Sequence, residues 1–177
     1  MSARSHAYRP ERSVQQAIAQ VRADIQSGFV WVVDADIEKF FDNVPHARLL
    51  EEMAPHVRDE NVMHLLRLWL RSFSGKGRGL AQGAPISPLL ANMYLHPLDV
   101  AWAQRGLRAV RYADDFVLLC RTRRQAKDAR WLTGRLLHQR GLRLHPEKTR
   151  IVHAAEGFTF LGEHLKLVIR QEKVPTR

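Results

Sequence analysis

Hydrophobic and polar positions change their spacing along the 177-residue chain, and each change marks an element. After a polar start ending in Tyr8-Arg9-Pro10, the residues Val14, Ala17, Ile18, Val21 and Ile25 recur at helical spacing. They predict an amphipathic helix closed by Ser27-Gly28. Phe29 to Ala35 is aromatic and β-branched, with Trp31, Val32 and Val33 in a continuous apolar run, which predicts a strand inside a sheet. Period two puts Asp34 and Asp36 on one side of that strand, and Ala35 and Ile37 on the other. Glu38 to Asn43 reads as a turn or short helix, and residues 46 to 54 as a helix stopped by Pro55. A stripe of Val62, Leu65, Leu66, Trp69, Leu70 and Phe73 predicts the best-defined helix, with Arg58, Arg67 and Arg71 on its polar face.

The pattern then breaks at the basic loop Ser74-Gly-Lys-Gly-Arg-Gly79, which lacks the Gly-Lys-[Ser/Thr] ending of a phosphate-binding P-loop. Ser87 and Pro88 suit the N-cap and N1 positions of a helix that packs Leu89, Leu90, Met93 and Tyr94. Leu98 and Trp102 extend its apolar face past Pro97, and Gly106 ends it. Leu107 to Val110 and Phe116 to Leu119 are two strand-like pieces around a short break holding Asp114 and Asp115, which predicts a hairpin with an acidic tip. Thr122 to Arg140 reads as a basic helix with Ala126, Ala129, Leu132, Leu136 and Leu137 toward the core and Gly141 as its cap. Short strands are expected at 142–144, 150–153, 158–161 and 163–169, before a polar tail. This order favours an α+β fold with helices over one face of an antiparallel sheet.

Charge narrows the partners. A formal net charge of +10, from 28 Lys and Arg against 18 Asp and Glu, calls for a polyanion, whether nucleic acid or an anionic membrane surface. The hydrophobic share of 45% excludes a disordered basic arm. No apolar leader opens the chain and no long apolar run crosses it, so no membrane partner and a cytoplasmic location are expected. Cys120 is the single cysteine, which rules out an intrachain disulfide. His6, His46, His56, His64 and His96 lack the spacing of a zinc site.

The candidate chemistry lies in the acids. Adjacent carboxylates about 4 Å apart repel by roughly 4 kcal/mol at an effective dielectric near 20, and a divalent cation relieves this. Magnesium prefers oxygen ligands from one or two carboxylates plus substrate phosphates. If the strand carrying Asp36 neighbours the hairpin about 80 residues later, three acids converge. Such a cluster suits two cations about 3.5 to 4 Å apart that activate a hydroxyl and stabilise a leaving oxygen in phosphoryl transfer. The residues alone leave open nucleotidyl transfer, a non-catalytic nucleic-acid binder, a metal nuclease, and a plain polar turn at Asp114-Asp115.

Three segments then resemble ordered motifs of reverse transcriptases: Val33-Asp-Ala-Asp-Ile-Glu-Lys-Phe-Phe-Asp42, Gln82-Gly-Ala-Pro-Ile-Ser-Pro-Leu-Leu-Ala-Asn92 and Tyr112-Ala-Asp-Asp115. Arg9-Pro-Glu-Arg-Ser13, Gly141-Leu-Arg-Leu-His-Pro-Glu-Lys-Thr149 and Gly157-Phe-Thr-Phe-Leu-Gly162 extend the likeness over about residues 7 to 165. It is nearest to the group II intron and CRISPR-associated types. The resemblance implies a polymerase palm at residues 29–170, with partial fingers at 1–28, a polar tail at 171–177, incomplete fingers and no thumb. It implies Asp36, Asp114 and Asp115 as catalytic acids holding Mg2+ or Mn2+, with the Ile37 carbonyl as a further metal ligand and Asp34 ranked below Asp36. Phe41 matches the residue under the incoming sugar, and Gln82 and Gly83 the loop beside nucleotide and template. Lys148 matches a lysine that acts on pyrophosphate. Tyr112, Phe160, Leu161 and Gly162, with the basic Arg71, Lys76 and Arg78, would contact nucleic acid. The implied partners are an RNA template, a DNA or RNA primer, deoxyribonucleoside triphosphates, and a partner protein or missing fused domains. The alternative is a non-autonomous nucleic-acid-binding or assembly module that keeps the palm.

Overall fold

A computed structural model describes residues 2–73 and 75–167. Helix α1 (Val14–Gln26) starts where the sequence signals it. Ser13 accepts from the Gln16 amide, and the Gln16 side chain accepts from the Ser13 amide, a reciprocal capping box. Strand β1 (Trp31–Ala35) follows, then the short helices α2 (Phe40–Asn43) and α3 (His46–Met53). Next come α4 (Glu60–Phe73), α5 (Ser87–Gln104) and the hairpin β2 (Arg108–Tyr112) with β3 (Asp115–Cys120). Helix α6 (Arg123–Gln139) opens on a second capping box, Thr122 with Gln125. Strands β4 (Arg150–His153), β5 (Phe158–Phe160) and β6 (Glu163–Leu165) complete the described chain.

The main sheet has the order β2-β3-β1-β4 and is antiparallel throughout, so β1 is an inner strand as its unbroken apolar run predicts. Val33 and Ala35 of β1 join Phe116, Leu118 and Cys120 of β3 in a core with α3, α4, α5 and α6. Val32, Val117 and Leu119 point the other way and pack with α1 and the β5-β6 hairpin. Helices therefore cover one face as expected, while α1 and the small two-stranded sheet cover part of the second. Each of these hydrophobic clusters contributes through apolar area removed from water, at about 25 cal/mol per Å².

Four expectations shift. In α4 the buried residues are Met63, Leu66 and Leu70, whereas Val62, Leu65, Leu68 and Trp69 stay exposed. The apolar arc of that helix is wider than the surface it packs on. Helix α5 begins one residue earlier in its cap frame than Ser87-Pro88 suggests: Ile86 is the N-cap, Ser87 is buried, and Leu89 is exposed. Residues 142–144 form no strand of their own, because only Leu144 pairs, in a single bridge to Ile37. The last strand ends at Leu165, and the expected continuation through 169 falls partly outside the described residues.

The N-terminal segment is sewn to the hairpin. Ser5 bridges Arg111, the His6 amide donates to the Arg111 carbonyl at 2.9 Å, and the Arg111 amide donates to Arg4 at 3.0 Å. Asp24 of α1 is buried between Arg4 and Arg108. A buried carboxylate needs such partners, since an unpaired one would lose its hydration without replacement.

Candidate active site

Antiparallel pairing decides where the acids meet. Ala35 lies opposite Phe116 and Asp34 opposite Val117, so the next step along β1 brings Asp36 level with Asp115. Tyr112 pairs with Asp115, which leaves Ala113 and Asp114 as the two tip residues of the hairpin. Ala113 takes a left-handed φ of 58°, a conformation that glycine adopts more readily and that a two-residue hairpin turn demands. The buried Arg111 side chain holds this strained tip by donating to the Ala113 carbonyl at 2.8 Å.

Arg111 is itself fixed from below. Its Nε and Nη2 donate to the two oxygens of Asp99 at 2.7 and 2.6 Å, and Nη1 donates to Asn92 Oδ1 at 3.0 Å. Asn92 and Asp99 are seven residues apart on the buried face of α5, two helical turns of one apolar stripe interrupted by polar groups. Sequence reasoning missed this arrangement. The signal was present as two polar residues at core positions, which require a buried partner.

Asp34, Asp36 and Asp115 open onto one cleft of about 420 Å³, together with Glu147, Lys148 and Arg150. The segment after β1 is stitched to the stretch before β4. The His145 amide donates to the Asp36 carbonyl at 2.8 Å, the Glu38 amide donates to Arg143 at 3.0 Å, and Ile37 bridges Leu144. That stitching brings Lys148 Nζ to 2.9 Å from Asp36 Oδ2, and Arg150 Nε to 2.9 Å from Asp34 Oδ2. Glu147 and Arg150 join the site without having been singled out from the sequence, although Glu147 directly precedes Lys148.

The electrostatics show strain among the acids. Partial withdrawal from water, followed by the charges of Asp114, Asp36 and Asp34, pushes the Asp115 carboxyl up to about 6 even though its outer edge reaches solvent. Asp114 is raised mainly by burial and also by Asp36. Burial raises Asp34 as well, against the opposing pull of Arg150. The hydrogen bond to Asp36, then the surrounding negative charge, raises Lys148. Among the described residues no three His, Cys, Asp or Glu side chains already form a closed metal cage. The donor set nonetheless fits a hard divalent cation: carboxylates crowded beyond what the two basic partners neutralise, open on one side where phosphate oxygens could complete the shell.

The other expected residues divide. Phe41 is half-buried with its ring edge-on to Phe40, and its carbonyl accepts from the Leu80 amide at 2.6 Å. His46 also ties this region to the glycine loop, its ring nitrogen 2.7 Å from the Gly79 carbonyl. Gln82 and Gly83 therefore follow a loop anchored beside Phe41 and stay exposed, with Gly83 at a φ of 85° that an L side chain rarely adopts. Arg78 bridges Pro45, Lys76 is exposed in the same loop, and Arg71 is exposed in the last turn of α4. None of these three basic residues lines the acidic cleft. Ile37 is buried. Tyr112 is half-buried against the second core, Phe160 is buried in it, and Leu161 packs at its edge. Only Gly162, at the β5-β6 turn, is exposed in that group. Phe160 thus presents no ring to a ligand.

An antiparallel sheet whose inner strand and hairpin tip deliver crowded carboxylates, backed by long helices on one face, defines a polymerase-type palm. Residues 1–165 match the model of the reverse transcriptase (RNA-dependent DNA polymerase) family, and the chain belongs to that family. It is 31% identical to protein YkfC of Escherichia coli strain K12 across 91% of this chain and 54% of that protein. It is 23% identical to the group II intron-encoded protein LtrA of Lactococcus lactis subsp. cremoris across 92% of this chain and 39% of that protein. The chain thus spans about half or less of the length of these relatives. Apo telomerase from Candida tropicalis shares the fold, with a TM-score of 0.69 at 14% identity over 92% of this chain and 36% of the other. Among the described residues no helix is long and apolar enough to cross a membrane.

Proposed function

We propose that this chain is the palm of an RNA-directed DNA polymerase, in which Asp36, Asp114 and Asp115 serve nucleotidyl transfer to a primer 3′-hydroxyl. The observation that carries this reading is the crowding of those acids, with Asp115 raised to about 6 beside an open cleft. Sites that must bind cations and phosphates keep charge uncompensated until the ligands arrive. Two Mg2+ ions, or Mn2+ in their place, would be held by the three carboxylates and the Ile37 carbonyl. When bound, they supply charge stabilisation at the transferring phosphoryl group and lower the pKa of the attacking hydroxyl.

The chain's own residues do the rest. Lys148, held on Asp36 at 2.9 Å, neutralises that carboxylate before substrate binds and is then free to meet the leaving pyrophosphate. Phe41 borders the sugar and favours deoxyribonucleoside triphosphates, while Gln82 and Gly83 offer polar contact and close backbone approach to nucleotide and template. Lys76, Arg78 and Arg71 supply backbone contacts to an RNA template and its DNA or RNA primer. The likeness to an intron-encoded protein supports that substrate class. Segments present in the longer relatives, or a partner protein, would restrain the duplex, since about 1 Å of misplacement can cost roughly 100-fold in rate.

Single-turnover primer extension on an RNA template tests this, with the chain alone and joined to the segments by which its relatives exceed it. Asp36→Asn and Asp114→Asn should each slow extension by about 100-fold or more while the circular dichroism spectrum stays unchanged. Where extension is too slow to follow, manganese should raise the wild-type melting temperature and leave the Asp36→Asn variant unmoved. Equal manganese stabilisation of both proteins, or extension insensitive to either substitution, would return the fold to a non-catalytic binding role.

A further inference from the structure

A groove larger than the acidic cleft does not contain the acids. It runs along α6 and edge strand β4, has a volume of about 1090 Å³, and meets the acidic cleft only at Arg150, which lines both. Arg123, Lys127, Arg130, Arg135 and Arg150 line it, and no carboxylate does. Four of these cations come from one exposed face of α6, opposite the buried Ala126, Ala129, Thr133 and Leu137. Among the described residues Arg123, Lys127, Arg130 and Arg135 have no acidic partner within ion-pair distance. Such a row repels itself, and a solvated face normally intersperses both signs.

Three further features make the groove more than a charged surface. Trp131 is 63% exposed on its wall, the most exposed large apolar side chain of the chain's described part, and the Arg135 guanidinium lies 4.9 Å from its ring centroid. Thr149 lines the groove and is 6% exposed, yet its hydroxyl has no hydrogen-bond partner among the described residues. Gly134 sits within the helix beneath the groove, where an added Cβ would make only ordinary contact at 3.8 Å with Leu144. Packing does not demand a glycine there. Its effect is to leave the groove floor low, at the expense of helix propensity.

We propose that the α6–β4 groove is a binding track for single-stranded nucleic acid, separate from the catalytic cleft. The cations neutralise successive phosphates and release their counterions, Trp131 with Arg135 forms a platform for one base, and the Thr149 hydroxyl takes a polar edge of nucleotide or sugar. An aromatic face accepts any base, so the track reads the strand form and charge rather than the sequence. The assignment does not rest on polymerase activity.

Fluorescence anisotropy with dye-labelled U12 and dT12 tests it on the 177-residue chain. The double variant Lys127→Glu, Arg130→Glu should weaken binding at least tenfold and make the slope of log Kd against log salt shallower by about 1.4, from two phosphate contacts at about 0.7 each. Trp131→Ala should weaken binding about fivefold with little change in that slope, because stacking releases no counterions. The charge-matched double variant Arg58→Glu, Arg67→Glu, at exposed positions that line neither groove, should leave both values unchanged. A dU12 arm, which differs from U12 by the 2′-hydroxyl alone whereas dT12 also carries the C5-methyl, decides whether that hydroxyl is sensed at Thr149, and a preference for U12 over dU12 should vanish in Thr149→Val. Wild-type affinity in either groove variant overturns the proposal. So does an equal loss of affinity for polyglutamate, which would reassign the groove to an acidic protein partner.

Discussion

Two charged regions share the β2–β3 hairpin, four residues apart, and they treat burial in opposite ways. Arg111 is buried with each of its three donor nitrogens matched, to both oxygens of Asp99, to Asn92 and to the Ala113 carbonyl. Its charge and that of Asp99 cancel, and the geometry is bidentate. Asp115, just past the tip, gathers with Asp114, Asp36 and Asp34 and carries a carboxyl pushed up to about 6. The first region spends its charge on holding a backbone turn. The second leaves like charges uncompensated, which under the proposed function is what a cation would meet.

Breaking the satisfied region should have the largest effect. Arg111→Met leaves Asp99 buried and unpaired, which costs about 3–5 kcal/mol of folding stability in systems of this kind. Urea unfolding measures this. Replacing all three partners, Arg111→Met with Asp99→Leu and Asn92→Leu, should recover most of that loss, since a well-packed apolar substitute for a buried ion pair is often neutral. Catalysis should not recover with it, because the Ala113 carbonyl no longer has its donor and the tip is free to relax. A single variant as stable as wild type would mean that water reaches Asp99.

The opposite sign is expected at the tip. Asp115→Asn removes a charge that three other carboxylates oppose, so the metal-free protein should gain up to about 1 kcal/mol, a small figure because solvent screens an exposed side chain. The gain should shrink as pH falls. A carboxyl raised to about 6 destabilises the folded state above its unfolded pKa of 3.8, and the penalty fades as the group protonates between those values. Melting temperatures of the two proteins at pH 7.5 and pH 4 give the comparison. A loss of stability at pH 7.5 would make Asp115 a structural acid and erase the contrast with Arg111.

These two regions also separate what the sequence reveals from what it hides. The acids were legible because period two along one apolar run and a two-residue break in another fix where the carboxylates point. The ordered motifs then related those segments to one another. Arg111 directly precedes the Tyr112-Ala-Asp-Asp115 motif and was passed over, since its partners lie on α5 and nothing local marks a side chain as buried. The α4 stripe failed for a related reason. Apolar periodicity says which residues can be buried, while the surface available to cover them is a tertiary fact, so Val62, Leu65 and Trp69 remain outside. Phe160 shows the converse, an aromatic residue of a recognised motif drawn into the second core by its pairing in the β5-β6 hairpin.

The smallest effect is expected at the far end of β3, where the same physical cause has a different consequence. Cys120 ends the strand that Asp115 begins, and it is 3% exposed in the first core. Burial alone pushes its thiol up to about 11. Desolvation therefore acts at both ends of one strand. At Asp115 it moves a carboxyl into the range where neighbouring charge decides its state. At Cys120 it moves a thiol out of reach of physiological pH, where only about one part in a thousand would be thiolate at pH 8. The native protein should then react with a thiol reagent such as dithiobisnitrobenzoate far more slowly than a free thiol, and release one equivalent promptly in 6 M guanidinium. Cys120→Ala or Cys120→Ser should leave primer extension and nucleic-acid binding at wild-type levels, with the serine variant the less stable because it buries a hydroxyl without an assigned partner. Rapid labelling of the native thiol would show that the β3 end opens to solvent. In that case burial would not govern the Cys120 thiol in solution, and the two ends of the strand would no longer share one cause.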